Sequence, residues 1–289
     1  MEVEADLAGL KVGDRYPVRL MGVINVSPES FYKGSVKQTC EQIAETAKRQ
    51  AVEGAEVIDV GAKSTAPYLK TWIPVEEEVR RITSAIEAVK SAVQLPVSAD
   101  TTKAKVAEAA IKAGATIIND VSGLKDDPNM AKTIAEHSVS AVLMAKELKP
   151  TAGTPIERVL NALKESLEIA RKAGIPENGV VVDPGIGFFR YPEKPWYEWD
   201  CEVILNLQRL KPLGRPICVG VSRKSFIGFI LHKEKPEDRL YGSLAATTIA
   251  VYEGAHLIRT HDVAETKDAI KLTEYIRSLK RRPTLRRSS

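Results

Sequence analysis

Polar and charged side chains follow several short apolar runs of the sequence, and their types suit the binding of a small polar molecule. They are carboxylates, carboxamides, cations, a serine and a histidine: Asn25, Asp59, Asp100, Asn119, Asp183, Ser222, Lys224, Arg259 and His261. A carboxylate only accepts hydrogen bonds and a lysine only donates them. The mixture therefore suits a flat heterocycle that offers N–H donors and a carbonyl.

These side chains can act together only if the apolar runs end at one place. Eight such runs lie at 18–25, 56–59, 97–100, 116–119, 140–144, 180–183, 217–221 and 257–261. Amphipathic stretches separate them, and Gly54, Gly114 and Gly254 each precede a run where the left-handed cap of a helix is expected. Continuous apolar strands that alternate with helices indicate a parallel sheet covered by helices.

Eight strand and helix pairs in about 260 residues match the α/β architecture of a single (β/α)8 TIM barrel. A doubly wound open sheet is the alternative, but no Gly-x-Gly-x-x-Gly turn supports it. Chemistry in such barrels lies at the carboxyl ends of the strands, and a phosphate often binds after strands seven and eight. Cations at those two strands therefore favour a heterocycle that carries a phosphate or pyrophosphate.

We expect three regions along the chain. They are an N-terminal extension over residues 1–16, the barrel over 17–279 and a basic disordered tail over 280–289.

A purely structural interpretation of the same residues is also open. Asp59 and Asp100 could cap the helices that follow them. Arg259 could be an ion-pair partner, and His261 a hydrogen-bonded residue at the rim. Capping does not need carboxylates, carboxamides and cations together on one side, so the number of polar strand ends favours a ligand site.

Composition narrows the class of protein. The chain has 289 residues, of which 44% are hydrophobic and 28% charged, as in soluble globular proteins. No apolar run is long enough to span a membrane and the N-terminus is acidic, so we predict a cytoplasmic protein without a membrane partner. The net charge of +4 comes from five basic residues in the last ten, which gives no reason to expect a nucleic-acid partner.

Cysteine spacing excludes two further kinds of protein. Cys40, Cys201 and Cys218 are far apart and form no Cys-x-x-Cys pair, which argues against a disulfide framework or a zinc ribbon. We expect all three thiols to be buried packing residues.

Seven segments, in order along the chain, resemble the sequence motifs of the dihydropteroate synthases and of the wider family of pterin-binding barrels. They are MGVINVSPESF at 21–31, VIDVG at 57–61, SADT at 98–101, INDVSG at 118–123, VDPGIGF at 182–188, GVSRKSFIG at 220–228 and RTHDV at 259–263. The resemblance implies a transferase of folate or modified-pterin biosynthesis. In that family the amine of 4-aminobenzoate displaces pyrophosphate from a dihydropterin methyl pyrophosphate, which gives dihydropteroate.

The resemblance also implies roles for individual residues. The pterin-binding set is Asp100, Asn119, Met144, Asp183, Phe188 and Lys224. The set for pyrophosphate and the second substrate is Asn25, Lys63, Thr65, Arg190, Ser222, Arg259 and His261. The implied catalytic residues among these are Asn25, Asp100, Lys224, Arg259 and His261. Mg²⁺ bound at Asn25 and assembly as a homodimer are further implications.

Three loops depart from the family pattern, and all lie on the side of the second substrate. Residues 29–35 are ESFYKGS where the family has DSFSDGG, 61–67 are GAKSTAP where it has GGESTRP, and 187–190 are GFFR where it has GFGK. Lys33, Lys63 and Arg190 add positive charge there. The arylamine is therefore either 4-aminobenzoate or a modified, phosphorylated derivative.

A function other than synthase also stays open. A pterin-dependent methyltransferase or a non-catalytic pterin-binding barrel would keep the pterin residues. Neither would need the pyrophosphate residues Asn25, Arg259 and His261, which are retained.

Overall fold

The computed structural model describes residues 2–27, 39–63 and 72–281, without the side chains of the last two. The chain begins with an antiparallel hairpin of β1 (Glu4–Leu7) and β2 (Leu10–Gly13). Eight parallel strands follow: β3 (Arg19–Asn25), β4 (Val57–Gly61), β5 (Val97–Asp100), β6 (Ile117–Asp120), β7 (Ser140–Met144), β8 (Val180–Asp183), β9 (Cys218–Val219) and β10 (Leu257–Thr260). Each strand overlaps one of the eight predicted apolar runs, although β4 extends two residues and β6 one residue beyond its run.

The eight strands close into a barrel. Their order is β8, β7, β6, β5, β4, β3, β10, β9, and a parallel bridge between Val182 and Ile217 joins the two ends. The prediction of a (β/α)8 TIM barrel is confirmed, and the open doubly wound sheet is wrong.

Helices lie between the strands along the chain and cover the barrel. They are α1 (Cys40–Glu53), α2 (Val75–Ala92), α3 (Ala104–Lys112), α4 (Met130–Glu136), α5 (Pro155–Ala173), α6 (Trp196–Leu205), α7 (Ser225–Ile230), α8 (Leu240–Tyr252) and α9 (Val263–Arg281). The expected glycine cap is present at Gly54, where φ is 114° and the amide donates to the carbonyls of Gln50 and Ala51 at the end of α1. None of the described helices is long and apolar enough to cross a membrane.

The N-terminal hairpin packs across the amino end of the barrel. Leu7 and Val12 are fully buried and lie in one apolar cluster with inward residues of the strands, among them Ile117 and Leu257. The turn is tied to the start of β7, because the Ala8 amide donates to Ser140 Oγ at 3.2 Å and that hydroxyl donates to the Asp6 carbonyl at 3.1 Å. The hairpin therefore closes the end of the barrel opposite the predicted site.

Removing one buried side chain from this hairpin should destabilise the whole barrel. Leu7→Ala deletes a fully buried leucine, so we expect the free energy of unfolding to fall by about 2 to 5 kcal/mol. Urea unfolding followed by circular dichroism measures this change. Leu272→Ala, on the exposed side of α9, is the matched control and should cost less than about 0.5 kcal/mol. Equal midpoints for the two variants would contradict the packing described here.

The structure differs from two expectations, one about the C-terminal tail and one about the thiols. Helix α9 runs to Arg281, two residues into the predicted tail, and 282–289 lie outside the described residues. Cys218 is buried and Cys201 half-buried, but Cys40 is exposed, so the expectation of three buried thiols is wrong for Cys40. Cys40 is the first residue of α1, where α1 begins at the surface.

Candidate active site

Strand register brings several predicted residues to the carboxyl-terminal end of the barrel, which we call the mouth. Asn25 pairs with Gly61, Gly61 with Asp100, and Asp100 with Asn119, across four neighbouring strands. These residues lie at or next to the carboxyl ends of β3 to β6. The structure therefore places Asn25, Asp100 and Asn119 at the same end of the barrel.

A buried ion-pair network occupies the floor of this mouth. Arg259 donates from Nε to Asp59 Oδ2 at 2.7 Å and from Nη2 to Asp100 Oδ2 at 3.0 Å, and Asn119 Nδ2 donates to Asp59 Oδ2 at 3.3 Å. The Oδ1 atoms of Asp59 and Asp100 are buried and accept no hydrogen bond from the described residues. The structure thus has two buried acceptors beside one partly buried cation.

The network fixes the charge of Arg259. Burial opposes a charged guanidinium, but Asp59 and Asp100 outweigh that effect and raise the pKa of Arg259 above its ordinary value. Asp59 and Asp100 do not cap the helices that follow them, because α2 has Pro74 and α3 has Lys103 at the N-cap position. The ion-pair interpretation of Arg259 is therefore correct, and the pairs lie at the carboxyl ends of the strands.

Asp100 should give pterin binding a pH dependence. Burial raises the pKa of Asp100 to about 7, Arg259 opposes the increase and the charge of Asp59 adds to it. The ionised carboxylate is the better acceptor, so affinity for a pterin should weaken as the pH falls through about 7, by up to about tenfold per pH unit. Calorimetric titration between pH 5.5 and 8.5 measures this. Asp100→Asn should bind more weakly at high pH and should lack that part of the pH dependence; an unchanged profile would contradict the assignment.

Asp183 and Met144 lie side by side on the opposite wall. They pair in register at the ends of β8 and β7, and Met144 is buried. Asp183 Oδ1 accepts from the Gly185 amide at 2.7 Å. Burial raises the pKa of Asp183, and the nearby Lys224 opposes that increase.

Lys224 lies on the loop after β9, directly before α7. Its Nζ donates to the carbonyl of Ile186 and lies 4.8 Å from the centre of the Phe188 ring. Burial lowers the pKa of Lys224 to about 8, although Asp183 favours the charged form. The predicted lysine, phenylalanine and carboxylate of the pterin set are therefore close together.

Ser222 and His261 form a pair at the ends of neighbouring strands. Ser222 Oγ lies 2.9 Å from His261 Nδ1 and accepts from the His261 amide at 3.3 Å. In one tautomer the hydroxyl donates to Nδ1 and the ring proton is on Nε2; in the other, Nδ1 donates to the hydroxyl. Burial and the charges of Arg259, Arg223 and Lys224 lower the pKa of His261 to about 3. At neutral pH His261 is thus a neutral donor.

Arg223 does not belong to the mouth, although it precedes Lys224 in the sequence. Its backbone has a φ of 57°, and its guanidinium pairs with Asp262 at 2.6 and 2.9 Å and with the carbonyls of Pro236 and Glu237. Arg223 therefore holds neighbouring loops together.

Arg190, which the sequence predicts on the side of the second substrate, has a counter-charge beside it. Its Nη2 donates to Ser225 Oγ at 3.0 Å, and its guanidinium carbon is 4.2 Å from the centre of the Trp196 ring. Nη1 lies 3.8 Å from Oδ2 of the buried Asp200. The charge of Arg190 is thus partly balanced within the protein.

The remaining predicted residues are only partly placed. Lys63 is half-buried and lies two residues after the end of β4. Thr65, Lys33 and most of the divergent first and second loops lie outside the described residues.

Residues 191–199 contain four aromatic side chains, and sequence reasoning missed how this segment is anchored. Arg158 and Glu147 form a buried ion pair with a distance of 2.7 Å. The Arg158 guanidinium carbon lies 4.2 Å from the centre of the Tyr191 ring and 4.8 Å from that of Trp199. The aromatic residues therefore pack around a buried cation.

Asp200 was missed as well. A carboxylate between Trp199 and Cys201, in a helix that is mostly apolar, is the signal that could have identified it.

Comparison with known proteins agrees with this geometry. The family model described as pterin binding enzyme matches residues 21–261. The chain therefore belongs to the family of pterin-binding enzymes.

Within this family, the relatives of high coverage carry one name. The dihydropteroate synthase of Clostridium beijerinckii is 40% identical over 92% of this chain and 96% of its own length. A structure of Xanthomonas albilineans dihydropteroate synthase with 4-aminobenzoic acid matches with a TM-score of 0.85 and 36% identity, over 96% of this chain and 99% of that one. The same enzyme in complex with 7,8-dihydropteroate gives a TM-score of 0.81 at 36% identity, over 95% and 99% of the two chains. The resemblance inferred from the seven motifs is confirmed.

Proposed function

We propose that the protein is a dihydropteroate synthase that joins 4-aminobenzoate to a dihydropterin methyl pyrophosphate. A bond forms between the amine nitrogen and the methylene carbon, the bond from that carbon to the pyrophosphate oxygen breaks, and the amine proton passes to solvent. The observation that carries the proposal is the mouth lined by Asp59, Asp100 and Asp183 together with the cations Lys224 and Arg259.

The pterin ring is assigned to the acceptors of this mouth. The carboxylates of Asp100 and Asp183 would accept from ring N–H groups, and the Asn119 carboxamide can both donate and accept. Lys224 would donate to a ring oxygen or nitrogen. Met144, in register with Asp183, and Phe188, beneath the Lys224 ammonium, supply apolar surface for the ring faces.

The pyrophosphate is assigned to the ends of β9 and β10. Arg259 stays charged because of its carboxylate partners, and neutral His261 can donate from Nε2 beside Ser222. Fixed donors of this kind stabilise the negative charge that grows on the leaving group.

A magnesium ion fits the same place through Asn25. A Cβ at Gly61 would lie 3.1 Å from Asn25 Oδ1, so this oxygen lies against the end of the neighbouring strand β4. Magnesium is usually bound by one or two protein oxygens together with phosphates and water. The described residues contain no group of three or more histidine, cysteine or acidic side chains that could hold a metal. When bound, the ion would supply charge stabilisation for the leaving group.

Release of pyrophosphate tests the proposal. The protein is incubated with dihydropterin methyl pyrophosphate, Mg²⁺ and 4-aminobenzoate, and we expect pyrophosphate and dihydropteroate to form in equal amounts. Intact pterin binding without turnover on any arylamine would refute it and would favour the methyltransferase or binding-only alternative.

The arylamine is best tested by direct competition. The counter-charge of Asp200 beside Arg190 and the solved relative with 4-aminobenzoic acid both support the unmodified amine. A ribosylated and phosphorylated aminobenzoate is the other candidate. A higher kcat/KM for it, lost in Lys63→Ala and Arg190→Ala, would favour the modified substrate.

A homodimer is proposed from the outer face of α7 and α8. Helix α8 contains no charged residue, and Tyr241 at its start is 83% exposed. Phe229 and Leu231 beside it are also exposed. A second copy of the chain would cover this apolar face. Tyr241→Asp should then convert a dimer to a monomer in light scattering, and a monomeric wild-type protein would refute the proposal.

The cytoplasmic location and the absence of a nucleic-acid partner stay predictions. Cell fractionation and gel-shift measurements test them.

A further inference from the structure

Asp200 is a buried carboxylate that the proposed reaction does not use. It lies in α6 and is fully buried. Its Oδ1 accepts from the Gly187 amide at 2.8 Å. Its Oδ2 accepts no hydrogen bond from the described residues and lies 3.8 Å from Nη1 of Arg190. Burying a carboxylate charge is costly unless the charge is paired and hydrogen-bonded.

The peptide group that Asp200 holds is also the one that Lys224 contacts. The Lys224 ammonium donates to the carbonyl of Ile186, and this carbonyl and the Gly187 amide belong to the same peptide group. Its N–H therefore donates to a carboxylate while its C=O accepts from an ammonium. Hydrogen bonds joined through one group polarise each other, so each of these two strengthens the other.

Gly187 makes this arrangement sterically possible. Its φ is 86°, a conformation that other residues rarely adopt, and a Cβ there would lie 2.9 Å from Cδ of Lys224. The lysine stem thus passes directly over the glycine. The carboxylate and the ammonium together fix the orientation of the peptide group.

We propose that Asp200 is a positioning residue for Lys224, which it acts on through the peptide group between Ile186 and Gly187. The carboxylate holds the carbonyl toward the ammonium and favours the protonated lysine. The consequence for turnover rests on the proposed function, in which Lys224 contacts the pterin. The effect on the lysine itself can be measured without turnover.

The sign of the effect follows from the charges around Lys224. Asp183 and Asp200 favour its charged form, whereas burial, Arg259 and Arg190 disfavour it. Burial raises the pKa of Asp200 to about 6, so this carboxylate is charged at neutral pH. Removing its charge must lower the pKa of Lys224 further below about 8.

The test is Asp200→Asn, which keeps an oxygen for the Gly187 amide and removes the charge. The ¹³Cε signal of Lys224 in lysine-labelled protein is assigned by its loss in Lys224→Met and is titrated between pH 6 and 10. We expect its midpoint to fall by about one pH unit, since one neighbouring charge has this order of effect. Glu168→Gln, an exposed carboxylate on α5, is the control and should leave the midpoint unchanged.

The pH dependence of kcat/KM should show the same downward shift as the Lys224 midpoint. The alkaline limb of kcat/KM should move down with the lysine midpoint, giving about a tenfold loss at a pH above both midpoints. A merely structural role would lower the melting temperature and leave the limb in place. Should the Asn variant fail to fold, Asp200→Ser is expected to give the same downward shift.

Two results separate this proposal from the proposed function. An unchanged Lys224 midpoint in a folded Asp200 variant would overturn the positioning role. A shifted midpoint in a protein that never releases pyrophosphate would support the positioning role and refute the synthase.

Discussion

Replacing Arg259 by alanine is expected to lower kcat/KM for pyrophosphate release by about a hundredfold to a thousandfold, as loss of a fixed donor to a developing anion does. The same change should lower the free energy of unfolding by about 3 to 5 kcal/mol, because it leaves two buried carboxylates without their cation. Asp59 and Asp100 each accept a hydrogen bond from Arg259. Kinetics and urea unfolding measure the two losses separately.

Ligand binding distinguishes a role in the reaction from a general defect. Arg259→Ala should weaken binding of the pyrophosphate ester more than binding of the free pterin, although Asp100 loses its partner in both cases. Arg259→Lys keeps the charge but cannot make both hydrogen bonds, so it should recover more stability than activity. Equal losses for ester and free pterin would indicate a folding defect and would contradict the pyrophosphate assignment.

Replacing Asp183 by alanine is expected to weaken pterin binding by about tenfold to a hundredfold or more. Ring donors left unpaired in a buried site cost about 1 to 3 kcal/mol or more. The change also removes the acceptor of the Gly185 amide and a negative charge near Lys224. Calorimetric titration with a free pterin measures the loss.

Asp183→Asn is the matched comparison. It keeps an oxygen for Gly185 and should therefore keep the loop after β8 in place, but its amide cannot accept from two ring donors. Binding by the Asn variant should lie between wild type and Asp183→Ala. Unchanged pterin affinity in Asp183→Ala would remove this residue from the pterin site.

The sequence was sufficient for the barrel because its signals are local. An apolar run defines each strand wherever its neighbours lie, and before three of the runs Gly54, Gly114 or Gly254 marks the end of the preceding helix. The end of a strand then defines the side on which Asp100, Asn119 and Asp183 must lie, so their common end of the barrel could also be predicted.

Features that depend on distant partners could not be predicted in this way. Arg223 precedes Lys224 by one residue, yet a positive φ and the carboxylate of Asp262 direct it away from the mouth. His261 suggests a cation, but its burial among arginines keeps it neutral. Asp200 approaches Gly187 and Arg190 from α6, and its partners are not evident from its neighbours in the sequence. Each outcome depends on packing between segments far apart along the chain.

Packing of the N-terminal hairpin depends on strands that are synthesised much later. Its residues leave the ribosome first, but Leu7 and Val12 are covered by strands that include β10, and Leu257 is among the residues of that cluster. This layer of the core is complete only after roughly nine-tenths of the polypeptide has emerged. Until then the inward apolar residues of β1 and β2 lack part of the surface that buries them. In the nascent chain they are therefore exposed to solvent or covered by a chaperone.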